Sequence, residues 1–220
     1  MENNKSLYDV WLCADLHIRH KNILKHQPNR IKQLNLQNIE TVEEHDEKII
    51  QMWLDMTKRG DHIYVLGDFI MSNQQDSMKI LHRLKSNGCH IHLIVGNHDK
   101  STRKMYNMFE SIDLIKNVLF KKSVFPFLDE DFRVIMCHYP MISWEGKPRG
   151  SVCCYAHIHD NALNLDNYPD LRFNVGLDHP RMNMKLANLK DVYSWYKEKL
   201  NGMTFNEYID NASKNNEFIR

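Results

Sequence analysis

The sequence predicts a single α/β domain that carries a candidate metal site along one sheet edge, and three observations lead there. Apolar runs alternate with helix-period segments in the first half. In the second half they lie close together without helices between them. Five of the runs end in a short His/Asp/Asn cluster: Asp15-Leu16-His17, Gly67-Asp68, Gly96-Asn97-His98-Asp99, Cys137-His138 and His157-Ile158-His159. Ligands in open α/β sheets collect at the carboxyl ends of neighbouring strands, so this repeated order marks an enzyme candidate.

Residues 8–14 read as the first buried strand. A polar stretch broken at Pro28-Asn29 follows, and then a helix through Lys58. Thr41 and Glu44 have the spacing of a capping box, and Val42, Ile49, Trp53 and Met56 mark one helical face. Gly60-Asp61 ends that helix. Residues 61–66 form the second strand, residues 75–85 a helix closed by Asn87-Gly88, and residues 89–95 the third strand. This alternation argues for a parallel sheet with right-handed crossovers. Beyond it, runs at 114–120, 124–128 and 132–136 suggest a mixed or antiparallel sheet, with Asp129-Glu130-Asp131 as a turn. Residues 152–155 and 171–175 are further strands. Residues 189–200 form a closing helix with Val192, Trp195 and Tyr196 on one face, and a polar tail ends the chain. With no internal repeat and no low-complexity linker, residues 1–220 read as one domain.

Composition bounds the function. At 220 residues and 26.2 kDa, with 42% apolar and 26% charged residues, the chain is an ordinary globular sequence. A formal charge of +1 gives no global pull towards nucleic acid or anionic membrane, which argues against a nuclease of long DNA. No stretch approaches the roughly 18 apolar residues of a membrane helix, and a strand begins too early to leave room for a signal peptide. Cys13, Cys89, Cys137, Cys153 and Cys154 form no CxxC pair. A reduced, cytoplasmic setting is expected (the host cytoplasm if the chain is phage-encoded).

Each cluster has a chemical reading. Asp15 and His17, two apart at a strand end, project the same way and suit one divalent cation. Asp68 has two oxygens with which to bridge two ions. Asn97 offers a neutral carbonyl, and His98 is free to act as an acid, with Asp99 beside it to orient or polarise the ring. His157 and His159 form a second same-side pair. His90 and His92 share that spacing but open their strand, placing His92 roughly 15 Å before Asn97 at about 3.3 Å per residue. They read as structural.

Taken in order, the series DxH, GD, GNHD, isolated His and HxH resembles the calcineurin-like metallophosphoesterase superfamily over residues 8–180. The text around it is similar to small bacterial and phage members: Asp15-Leu16-His17-Ile18-Arg19-His20-Lys21-Asn22-Ile23, Leu66-Gly67-Asp68-Phe69, Cys137-His138-Tyr139-Pro140-Met141 and Asn174-Val175-Gly176-Leu177-Asp178. The resemblance implies a β-sandwich of mixed sheets flanked by helices (αββα). It also implies one metal on Asp15, His17, Asp68 and His159, and another on Asp68, Asn97, His138 and His157. Two ions about 3.5–4 Å apart activate a bridging hydroxide and clamp phosphoryl oxygens, with His98 protonating the leaving oxygen and Asp99 orienting it. Imidazole-plus-carboxylate ligation suits Mn, Fe, Zn or Ni. Arg19, His20, Asn22, Lys100 and Arg103 are candidate phosphate contacts, and Tyr139 and Trp144 candidate stacking partners for a base. Two departures stand out. Ala156 replaces the usual Gly before HxH, and Asn29-Arg30-Ile31 stands where small members tend to show Arg-Pro-Phe, which leaves Arg30 without an assigned role.

The implied activity is a metal-dependent phosphodiesterase or phosphatase acting on a small phosphorylated substrate, a nucleotide or a short nucleic-acid end. A metallo-β-lactamase would need HxHxDH, and His157-Ile158-His159-Asp160-Asn161-Ala162 fails at its last position. An HD-type hydrolase would need helices where strands are expected. A catalytically silent scaffold acting as a binding module is the non-enzymatic alternative, against which all of the ligand residues and His98 are present.

Overall fold

A computed structural model describes residues 7–160 and 170–214. Two mixed sheets, flanked by helices, face each other. In the first, β1 (Val10–Cys13), β2 (His62–Val65), β3 (His90–Ile94) and β4 (Ser111–Asp113) run parallel. The strand order places β4 at one edge, and β9 (Ala187–Asn188) closes the other by pairing antiparallel with β1. In the second, β5 (Ile115–Phe120) pairs antiparallel with β6 (Phe132–Cys137). Parallel to β6 follow β7 (Val152–Tyr155) and β8 (Arg172–Asn174). The expected α/β class and mixed second half are thus observed.

Period-two alternation explains the layering. Val10, Leu12, Tyr64 and Leu66 point into the core between the sheets, while Cys13, Ile63 and Val65 face the opposite side. That outer face is covered by α3 (Glu43–Met56) and α4 (Gln74–Leu84). Ile49 and Trp53 of α3 are fully buried, and the Trp53 indole N–H donates to Leu84 O at 3.1 Å. Helix α5 (Leu189–Leu200) turns Val192, Tyr193 and Tyr196 into the inter-sheet core. Short helices α1 (Ile23–His26) and α2 (Asn29–Gln33) fill the first loop.

Three sequence expectations differ from the structure. Residues 124–128 form turns rather than a strand: Pro126 lacks the N–H a ladder needs, and Phe125 and Leu128 anchor the loop by burial and by turn hydrogen bonds to Lys121 O and Phe125 O. The capping box at Thr41 is absent, because Glu44 Oε2 accepts from the amides of Gln37 and Asn38 and Val42 is the N-cap. A capping box does start α5, through Asn188 and Asp191. Finally, α6 (Phe205–Lys214) occupies part of the expected polar tail, whose last residues, 215–220, lie outside the described ones.

Candidate metal centre

The carboxyl ends of β1, β2, β3, β6 and β7 lead into one patch, and the structure brings two ligand groups together there. Asp15, His17 and His159 form one, and Asp68, His138 and His157 the other, with the donor atoms of each group within 4.8 Å of one another. Asp68 Oδ2 stands between the groups, 3.7 Å from His17 Nε2 and 3.6 Å from His138 Nε2. Asn97 Oδ1 lies 3.0 Å from His138 Nε2, adding a neutral oxygen to the second group.

The backbone that aims these side chains is not a strand end, as DxH and HxH alternation suggests. Asp15, His17, Asp68, His157 and His159 all lie in the left-handed region, with φ of 55°, 51°, 52°, 74° and 52°. Non-glycine residues seldom adopt it, and such strain persists only where the surroundings hold it. Here the holding contacts are specific: the amides of Asp15 and His17 donate to Gly67 O and Asp68 O, and the His157 amide donates to Asp15 Oδ2 at 3.1 Å. The loop must also pack without a Cβ at Gly67, where one would lie 2.5 Å from His138 Nδ1. Ala156 is tolerated because it is not among the positive-φ residues, so a glycine is not needed there.

Hydrogen bonds fix the imidazole tautomers. His138 Nδ1–H donates to Leu66 O at 2.8 Å, His159 Nδ1–H to Asp178 Oδ2 at 2.6 Å, and His17 Nδ1 meets Met71 Sδ at 3.5 Å. Each ring therefore presents an Nε2 lone pair to the centre. Among buried polar atoms, Asp15 Oδ1 and His17 Nε2 have no hydrogen-bond partner, although orphaned buried groups are costly. Lone pairs from buried carboxylates and imidazoles converging without a donor are what a cation satisfies, so the residues fit divalent metal. Burial pushes the Asp15 carboxyl up to about 6 despite the opposing influence of His159 and His138. Burial, reinforced by Arg30, holds His17 far below the ordinary imidazole range.

The other expected residues divide. His98 donates its backbone N–H to Asp68 Oδ1 at 2.9 Å, and its half-exposed ring puts Nε2 3.9 Å from Asp68 Oδ2. No described hydrogen bond joins the Asp99 carboxylate to that ring. Asp99 Oδ2 accepts the amides of Asp68 and Gly96 and its Oδ1 that of Phe69, so it holds the Asp68 loop instead. His20 lies beside the centre, its ring 5.3 Å from that of His17 and 6.1 Å from that of His98. Arg19 is drawn to α3, 3.5 Å from Glu43 and 3.7 Å from Asp46, rather than to the centre. Asn22 caps α1 and Arg103 sits in a short 3-10 turn, both exposed and without a described side-chain contact to the ligands. Trp144 is buried and anchors its loop through Ser151 O, which removes it as a stacking surface. Tyr139 is half exposed, with its ring 4.6 Å from that of His157.

Sequence reasoning missed the supports. Arg30 is fully buried and binds Asp178 through two N–H groups, Nε at 2.5 Å and Nη2 at 2.7 Å. His45 Nε2 faces Arg30 Nη1 at 2.9 Å. No local signal singles Arg30 out, since Lys21, Lys25 and Lys32 carry the same charge nearby, and its partner lies 148 positions away.

Three comparisons bear on this arrangement. The model of a family described as calcineurin-like phosphoesterase matches residues 8–214. The Gene 66 protein of Mycobacterium phage L5 is 20% identical over 191 residues, covering 77% of this chain and 86% of the phage protein. An uncharacterized protein of Methanocaldococcus jannaschii is 27% identical over 164 residues, covering 74% of this chain and 76% of its own. Among solved structures, a protein of unknown function from Aquifex aeolicus superposes with a TM-score of 0.63 at 20% identity, covering 85% of this chain and 98% of that one.

Proposed function

The chain belongs to the calcineurin-like phosphoesterase family, and on that premise we propose that it hydrolyses a small phosphodiester with two divalent ions at the centre described above. The observation that carries this reading is the position of Asp68 Oδ2, within 4 Å of Nε2 atoms from both ligand groups. One carboxylate so placed would serve two ions.

Asp15, His17, His159 and Asp68 would hold one ion, and Asp68, Asn97, His138 and His157 the other. When bound, such a pair lowers the pKa of water and neutralises charge on a transferring phosphoryl group. The protein's own part is orientation and proton transfer. Buried Asp15, Asp68 and His138 fix the floor of the site. His98, at the rim and half exposed, is placed to give its proton to the leaving oxygen. His20, beside it, contributes a further imidazole to the substrate side. Mn, Fe, Zn or Ni suits the mixed nitrogen and oxygen donors. A nucleotide or a short nucleic-acid end fits the half-exposed Tyr139 at the rim, and the chain's near-zero net charge disfavours long polyanions. Among the described residues no helix is long and apolar enough to cross a membrane.

A paired assay of bis(p-nitrophenyl) phosphate and p-nitrophenyl phosphate with Mn²⁺ tests the proposal. Metal-dependent turnover, faster on the diester and abolished in Asp68→Asn, is expected. Turnover that survives metal removal, or that is unchanged in Asp68→Asn, would reject it.

A further inference from the structure

Arg30 lies outside both ligand groups, yet every one of its N–H donors is used. Nε and Nη2 donate to the two oxygens of Asp178, Nη2 also to Asp15 O at 2.5 Å, Nη1 to Leu16 O at 3.1 Å, and Nη1 to His45 Nε2 at 2.9 Å. A guanidinium has five such hydrogens in a rigid fork, so the residue is saturated. Because His45 accepts at Nε2, its Nδ1–H donates to Asp46 Oδ1 at 3.0 Å, and Asp46 Oδ2 accepts the Arg19 amide. The network thus runs from α3 into the ligand loops.

The acceptors belong to the two segments that supply one ligand group. Asp15 O and Leu16 O lie in the left-handed turn that presents Asp15 and His17. Asp178 Oδ2, in the same ion pair, accepts His159 Nδ1–H. Among the described residues no carboxylate stands behind the imidazoles of the second group: His138 Nδ1–H donates to the neutral carbonyl of Leu66, Asn97 is exposed and His157 is partly so. A carboxylate behind a ligating imidazole fixes its ring and raises its basicity.

We propose, on the reading that the two groups bind metal, that Arg30 is a positioning residue for the ion of Asp15, His17 and His159, and that it makes this ion the tighter of the two. Asp178 transmits the effect to His159, and the carbonyl contacts hold the turn of Asp15 and His17. Lysine keeps the charge but lacks the fork, so it would not reach Asp178 and both carbonyls at once.

Metal-free wild type, Arg30→Lys and Asp178→Asn titrated with Co²⁺, followed by visible absorption, test this. Far-UV circular dichroism of the metal-free proteins reports folding. Wild type is expected to bind two ions of unequal affinity. In both variants the tighter ion should weaken about 10–100-fold, the usual cost of losing such a partner, while the weaker ion is unchanged. A merely structural role would lower thermal stability and spare the difference between the ions. Should Arg30→Lys not fold, Asp178→Asn decides. A folded Asp178→Asn that binds both ions as wild type does, or loses affinity equally for both, overturns the proposal. Wild type that binds no Co²⁺ would overturn the metal reading itself, and this inference with it.

Discussion

Asp99 Oδ2 accepts the backbone N–H of Asp68 at 2.8 Å, and Asp99 Oδ1 accepts that of Phe69 at 3.0 Å. The buried carboxylate therefore sets the turn from which Asp68 reaches both ligand groups. In Asp99→Asn one acceptor becomes an N–H donor facing an amide N–H. A buried polar group left without a partner costs about 1–3 kcal/mol. Metal affinity and thermal stability should fall together, and the lost activity should return in part at high Mn²⁺. Unchanged metal affinity with reduced turnover would instead return Asp99 to the role of orienting His98.

His98 is predicted to act on the leaving group and not on the metals. His98→Asn should lower kcat about 10²–10⁴-fold on an alkyl phosphodiester, the range expected for losing a general acid. Turnover of a p-nitrophenyl diester should fall much less, since p-nitrophenolate leaves without a proton. Equal losses on both substrates would count against the assignment, as would loss of a bound ion.

Gly96 tests how closely the loops must approach. A Cβ there would stand 2.6 Å from the Asp68 amide nitrogen and press on its carboxylate. Gly96→Ala should reduce metal binding at the Asp68 group and lower the melting temperature. Titration calorimetry with Mn²⁺ and a thermal melt check both, and wild-type values in each would show the packing to be looser than described.

These residues also show what was legible in the sequence. Strand-then-ligand order brought Asp15, His17, Asp68, Asn97, His138, His157 and His159 to one patch, because parallel strands deliver their carboxyl ends to the same edge. The same logic set His90 and His92 aside. They stack with His62 near the starts of β2 and β3, with His62 Nδ1 and His92 Nε2 2.9 Å apart. What a local pattern does not encode is which distant group a polar side chain meets. Arg30 with Asp178 and Asp99 with the Asp68 amide are contacts between segments far apart in the chain. Nor does alternation reveal that Asp15, His17, His157 and His159 are aimed by left-handed backbone rather than by a strand. Pro126 was readable as a strand breaker, and its loop behaves accordingly.

His92 carries a pH prediction away from the metals. Burial, then the charges of His62 and Lys116, lower its pKa to about 4 from 6.5, against the opposing effect of Glu110 and Asp113. The unfolded chain thus binds the proton more readily than the folded one. The stabilisation is complete above about pH 6.5 and is lost as pH falls towards 4. His92→Gln should therefore lose less melting temperature than wild type between about pH 7 and pH 5. Parallel pH slopes in the two proteins would refute the assignment.

Asp68 is proposed to join two metal ions in one centre. Electron paramagnetic resonance of the Mn²⁺-loaded protein tests it most directly. Wild type should take up two ions per chain and show the signal of an exchange-coupled pair, which Asp68→Asn should lose. A single uncoupled ion per chain in wild type, or an unchanged coupled signal in Asp68→Asn, would contradict the account.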